Sequence, residues 1–214
     1  MKMGKLNKAG VILLVVSFLL WAGAIACIFV GYGELLTNVG GWEDVVASTQ
    51  LLEAELIILS SAAMPIFFAK MFSAQAKDKT GGMVTSAVLL AAWLVYAYKD
   101  VAEMVLHGAT GNGYLANLLA GLVVPVLAIL AILLSNRPMA ILAAILSLAA
   151  AVVGIQNASN ISSVLTLNGA GYTSSSVLQV RGAISTLPII AEIIYGLGMF
   201  FGLLGVKKHG KTVD

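Results

Sequence analysis

One cysteine, two histidines and four prolines in 214 residues leave little of the chemistry that small domains use to cross-link themselves or to hold metals. The lone thiol, Cys27, cannot close a disulfide within the chain or build a multi-cysteine zinc or iron–sulfur site. His107 and His209 do not supply the pair of imidazoles within apolar segments that bis-histidine haem ligation needs. HExxH, GxSxG and P-loop patterns are absent, which removes the signatures of zinc peptidases, serine hydrolases and nucleotide-binding loops. Charge is scarce as well: 10% of residues are Asp, Glu, Lys or Arg, against about a quarter in an average soluble domain.

The chain is instead 60% hydrophobic, and its apolar residues fall in runs of about 20, the length that spans a ~30 Å hydrocarbon layer as a helix. This composition predicts an all-α polytopic bundle, a single integral membrane domain over residues 1–214. Transmembrane helices are expected at about 9–31, 51–72, 83–106, 114–135, 139–156 and 183–206, with outer loops at 32–50 and 157–182. Breakers mark the joins: Gly40-Gly41, Gly81-Gly82, the stretch from His107 to Gly113, and Asn136-Arg137-Pro138. Pro138 suits a first helical turn, and Pro65, Pro125 and Pro188 read as kinks. The N-terminal layout, basic and then apolar, is shared with signal peptides, and Ala24 to Cys27 resembles a lipoprotein processing site. The apolar run continues to Val30, which favours an uncleaved first helix.

Orientation follows from the basic residues, which are retained on the side of synthesis. With the N-terminus inside, Lys2, Lys5, Lys8, Lys70, Lys77, Lys79, Arg137, Lys207, Lys208 and Lys211 are cytoplasmic, while Lys99 and Arg181 are not. One miscounted helix would invert every later assignment, so both termini are expected in the cytoplasm, in a plasma or inner membrane. Trp42 and Tyr172 are expected interface anchors in the outer loops, Asn157 and Asn160 open glycosylation sequons there, and a re-entrant piece between Val177 and Pro188 is an alternative. Small residues at four-residue spacing mark packing faces: Ala140 with Ala144; Ala143, Ser147 and Ala151; Ala150 with Gly154; and the Gly198/Gly202 pair with Gly205 beyond.

Two features carry candidate chemistry. Tyr96, Lys99, Asp100, Glu103 and His107 recur at spacings of three and four, so one stripe of a helix presents a phenol, an amine, two carboxylates and an imidazole. That stripe reads as a proton or cation relay, as a source of metal ligands through Asp100, Glu103 and His107, or as a polar face at the membrane boundary in which Lys99 and Glu103 pair. A metal site would need ligands from a second helix. The other feature is Glu192, deep in the last apolar run, where a charge costs about 2.5–3.5 kcal/mol on insertion scales. Lys99 at comparable depth is its expected partner. Glu53 and Glu55 suit a helix N-terminus, and Lys70 a snorkelling position.

No cofactor is expected, and the partners expected are lipid together with other membrane subunits or further copies of the chain; nucleic acid is not among them. Two function classes follow: a non-catalytic accessory subunit of a larger membrane complex, or a small proton- or cation-translocating transporter or channel using the acidic residues. A metal-dependent membrane enzyme is a third.

Overall fold

The computed structural model describes residues 4–37, 61–108, 113–166 and 175–206. Among them every regular element is helical. Helix α1 is Lys5–Thr37, α2 covers 61–76, and α3 is Thr80–Leu106. Helix α4 is built from Tyr114–Leu118, a π-helical turn Leu119–Val123 and Val124–Leu133; α5 is Arg137–Thr166 and α6 is Ser175–Leu204. Five of these are long and apolar enough to cross a membrane, over Lys5–Val30, Thr80–Lys99, Leu115–Leu133, Arg137–Ser159 and Gly182–Leu204. The segment expected at 51–72 lies partly outside the described residues, as do Trp42, Glu53, Glu55, Tyr172, His209 and most of the 32–50 loop.

Helices run further than their apolar stretches. The helix expected to stop near Gln156 continues to Thr166, and the one expected from Ala183 begins at Ser175, so most of 157–182 is helical rather than loop. The stretch from Val177 to Pro188, where a re-entrant piece was the alternative, is continuous helix within α6. The Ser- and Asn-rich composition suggested a loop, but extending an existing helix forms one hydrogen bond per residue ordered, without the cost of a new nucleus.

The two tight turns at the lysine-rich end are closed in the same way. Asp78 and Ser135 take left-handed backbone conformations, with φ of 54° and 48°. Around them Asp78 N–H donates to Gln75 O and Lys79 N–H to Ala74 O, while Ser135 N–H donates to Ile132 O and Asn136 N–H to Ala131 O. This paired pattern satisfies the last helical carbonyls and ends α2 and α4 abruptly. Asn136 then caps α5, its Oδ1 accepting from Met139 N–H at 3.1 Å, which leaves Pro138 in the first turn where no N–H is needed. Pro125 has the opposite setting. It cannot donate to the carbonyl four residues back, and the helix widens just before it, Val124 N–H reaching Leu119 O across the π turn.

Large apolar side chains such as Leu19, Val30, Val95 and Val152 point outward, whereas Asn7, Ser17, Gln75, Ser86 and Ser147 are buried. Apolar outside and polar inside is the distribution that suits lipid as solvent. Helices meet through small residues. Helices α1 and α6 share an extensive contact, where a Cβ placed on Gly10 would lie 2.5 Å from the Gly202 amide nitrogen and 2.9 Å from the Gly198 carbonyl. Ala140, Ala143, Ala144, Ser147 and Ala151 of α5 are buried, and Gly196 of α6 packs on Ala151. Ser17 Oγ–H of α1 donates to the Ala191 carbonyl of α6 at 2.8 Å.

Along their length the helices divide into two layers. The layer toward the lysine-rich turns is a dry core of Leu14, Phe68, Phe72, Leu90, Leu94, Ile132, Met199 and Leu203. The other layer is polar and not fully packed.

Candidate functional site

That second layer contains a partly open cavity of about 90 Å³ to which all six helices contribute. Trp21 comes from α1, Ser61 and Met64 from α2, Tyr98 from α3, Asn117 and Gly121 from α4, Gly154 and Asn157 from α5, and Glu192 and Tyr195 from α6. The spacing on each helix shows how the layers are separated. Trp21 is two turns from Leu14, Tyr98 one turn from Leu94, and Gly121 three turns from Ile132.

Glycine makes the space. A Cβ on Gly154 would fall on the Glu192 carboxylate, and one on Gly121 would fall on the Tyr98 ring, so both side chains reach the cavity by lying against bare backbone. Gly121 sits within the π turn, a distortion that occurs frequently at functional sites.

The polar inventory is specific. Asn157 Nδ2–H donates to Asn117 Oδ1 at 2.9 Å, linking α5 to α4, and the Tyr195 hydroxyl lies 3.9 Å from Met64 Sδ. Trp21 is 1% exposed, and its indole Nε1–H has no partner among the described residues. An unmet buried donor carries a desolvation cost of about 1–3 kcal/mol. Glu192 is the single carboxylate among the described residues of the lining, and no lysine, arginine or histidine joins it. It lies ten residues after Gly182 and twelve before Leu204, the ends of its apolar span, or about 15 and 18 Å at helical rise. Its charge is thus placed far from either boundary, with only neutral polar groups around it.

The described side chains of the α3 stripe lie at the surface of the bundle and not in the cavity. Tyr96 is 61% exposed, and Lys99, Glu103 and His107 are exposed as well. The Lys99 ammonium lies 5.5 Å from the Tyr96 ring centre, and His107 Nδ1 is 2.8 Å from the Glu103 carbonyl one turn back. The side chain of Asp100 lies outside the described residues. Lys99 and Glu192 do not meet: Lys99 points away from the bundle while its neighbour Tyr98 points in. Helical spacing identifies residues that share a face but not the direction of that face, and here the inward direction passes through Leu90, Leu94 and Tyr98. No three His, Cys, Asp or Glu side chains converge on a metal-sized site among the described residues.

Sequence reasoning singled out Glu192 but not Trp21, Tyr98, Asn117, Asn157 or Tyr195. A signal existed for two of them, since Asn117 and Asn157 are amides at the edges of apolar runs. Asn157 opens a sequon in the sequence, and in the fold its side-chain nitrogen donates to Asn117 Oδ1. The cross-helix bond has a measurable consequence. A double-mutant cycle of Asn117→Ala and Asn157→Ala, followed by thermal unfolding in detergent, is expected to give a coupling of about 0.6 kcal/mol, the average for such bonds in membrane bundles. Zero coupling would mean that the two amides do not meet.

No protein-family model matches the chain, and comparison with curated proteins and with solved structures finds no match. The site's own chemistry is therefore the basis for a functional reading.

Proposed function

We propose that this protein is a small membrane transporter that carries protons, with Glu192 as the group that accepts and releases them. The supporting observation is a carboxylate in mid-span, uncompensated by any described cation, facing a cavity shared by six helices. Ionisable residues inside membrane segments are costly and are retained chiefly where they do work.

Size restricts the cargo. At about 90 Å³ the cavity lies below the ~300–1,000 Å³ range of small-molecule sites and has room for water, which suits a proton as cargo. The cavity also combines an indole donor without a partner, an acid and two phenols. Water satisfies donor and acceptor together and is the ordinary medium for a proton passing between such groups.

Architecture favours a carrier over a channel. The dry core of Leu14, Phe72, Leu90, Leu94 and Leu203 closes the bundle below the cavity, so access from both sides requires the helices to rearrange. An accessory-subunit role needs only packed faces and leaves the acid in its cavity without a purpose.

The test uses the protein reconstituted alone in liposomes with a trapped pH-sensitive dye and the membrane potential clamped by potassium and valinomycin. An imposed pH gradient is expected to relax faster than in protein-free liposomes. Identical rates with folded protein, whichever way the gradient points, would remove the proposal.

A further inference from the structure

At the opposite end of the molecule, we infer that the α2–α3 turn holds the phosphodiester headgroup of an anionic membrane lipid. The turn forms an open depression of about 370 Å³, within the ~300–1,000 Å³ range of small-molecule sites. Lys70, Lys77 and Lys79 line it together with the hydroxyl-bearing Ser73, Thr85 and Ser86. No carboxylate is among the described residues that line it.

The backbone adds donors to these cations. Helix α3 starts at Thr80 without a side-chain cap, and its first helical hydrogen bond runs from Met83 N–H to Lys79 O. The N–H groups of the first turn therefore point out at the positive end of the helix, a setting that favours phosphate. Gly81 and Gly82 occupy this turn and line the depression. The fold does not need glycine at position 81, since its φ is not positive and a Cβ there would meet nothing within 4 Å. Alanine there would favour the helix by roughly fivefold in equilibrium terms, so glycine's effect here is to leave the amides uncovered.

A lipid suits the site better than a free anion because of what continues from it. Thr80 begins the apolar span of α3, and the face that carries Thr85 goes on to the exposed Val88 and Leu89, one turn further into the membrane. A ligand with a phosphate head and an acyl tail matches both parts: head against the lysines and the helix N-terminus, tail along Val88 and Leu89.

The test uses the full chain extracted from phosphatidylcholine liposomes containing phosphatidylglycerol, with retained phosphatidylglycerol counted by native mass spectrometry. A Lys70→Gln, Lys77→Gln, Lys79→Gln variant is expected to lose retention about fivefold per lysine, the equivalent of about 1 kcal/mol each. The comparison variant Lys5→Gln, Lys8→Gln, Arg137→Gln removes equal charge from the same end of the bundle and is expected to retain the lipid. Equal loss from both variants would reduce the effect to general charge, and no loss from the first would empty the site; either overturns the inference. Inorganic phosphate serves as the other arm. Lysine-dependent binding of phosphate without retention of phosphatidylglycerol would assign the depression to a soluble anion and overturn the lipid assignment.

Discussion

Glu192→Gln is expected to lower proton flux through the reconstituted protein at least about a hundredfold, the low end of what a positioned acid–base group contributes to proton transfer. The amide has the shape of the acid and keeps its capacity to donate and accept hydrogen bonds, but it does not exchange a proton over the relevant pH range. Its position against Gly154 should be retained, because the side chain has the same length and lies on bare backbone. Thermal stability is expected to be unchanged or higher, since an acid with no described cation beside it is replaced by a neutral group. The two readouts together make the result interpretable: flux lost with the unfolding midpoint maintained assigns the proton to Glu192. Wild-type flux from the Gln variant would leave the acid as a packing element and favour the accessory-subunit reading.

Gly10→Leu is expected to separate α1 from α6 and to leave little folded protein. Even the first added carbon would sit 2.5 Å from the Gly202 nitrogen and 2.6 Å from its Cα, whereas carbon contacts are comfortable near 3.5–4.0 Å. What it meets is main chain, so no rotamer change can relieve the overlap and the helices must move apart by about 1 Å along the seam. Gly202 cannot give way easily, because Phe72 of α2 packs on its other side. Overpacking usually costs about 1–3 kcal/mol and sometimes more; with backbone on both sides of the overlap, a loss of about 3 kcal/mol or more is expected. Gly4→Leu is the comparison, since a Cβ there meets nothing within 4 Å. Unfolding midpoints in detergent that agree between the two variants would show that α1 and α6 do not meet at these glycines.

Much of this architecture is legible in the residues because lipid imposes simple demands on a chain. The spans had to be apolar and about 20 residues long, and glycine and alanine spacing marked faces of α5 and α6, though not the Gly10 face of α1 that meets α6. Glu192 stood out for a similar reason, as an acid surrounded by apolar sequence. The site around it was not legible, because a cavity is defined by residues that are distant in the chain and individually ordinary. Nothing local distinguishes Tyr98, which points in, from Tyr96, which points out two residues earlier. That choice is made by which side of α3 the other helices cover, and only the assembled fold contains it. Helix ends were misplaced where polar sequence continued a helix beyond its apolar part, at 157–166 and 175–182, since hydropathy reports where lipid ends and not where hydrogen bonding does.

The dry layer beneath the cavity also bears on speed. On the proposed proton-carrying role, a cavity that ends against packed leucine and phenylalanine would pass its cargo once per rearrangement, and motions of helices against one another take microseconds to milliseconds. Its throughput should therefore plateau as the gradient is steepened, and planar-bilayer recordings should give no discrete unitary currents, only a macroscopic signal that grows with the number of copies present.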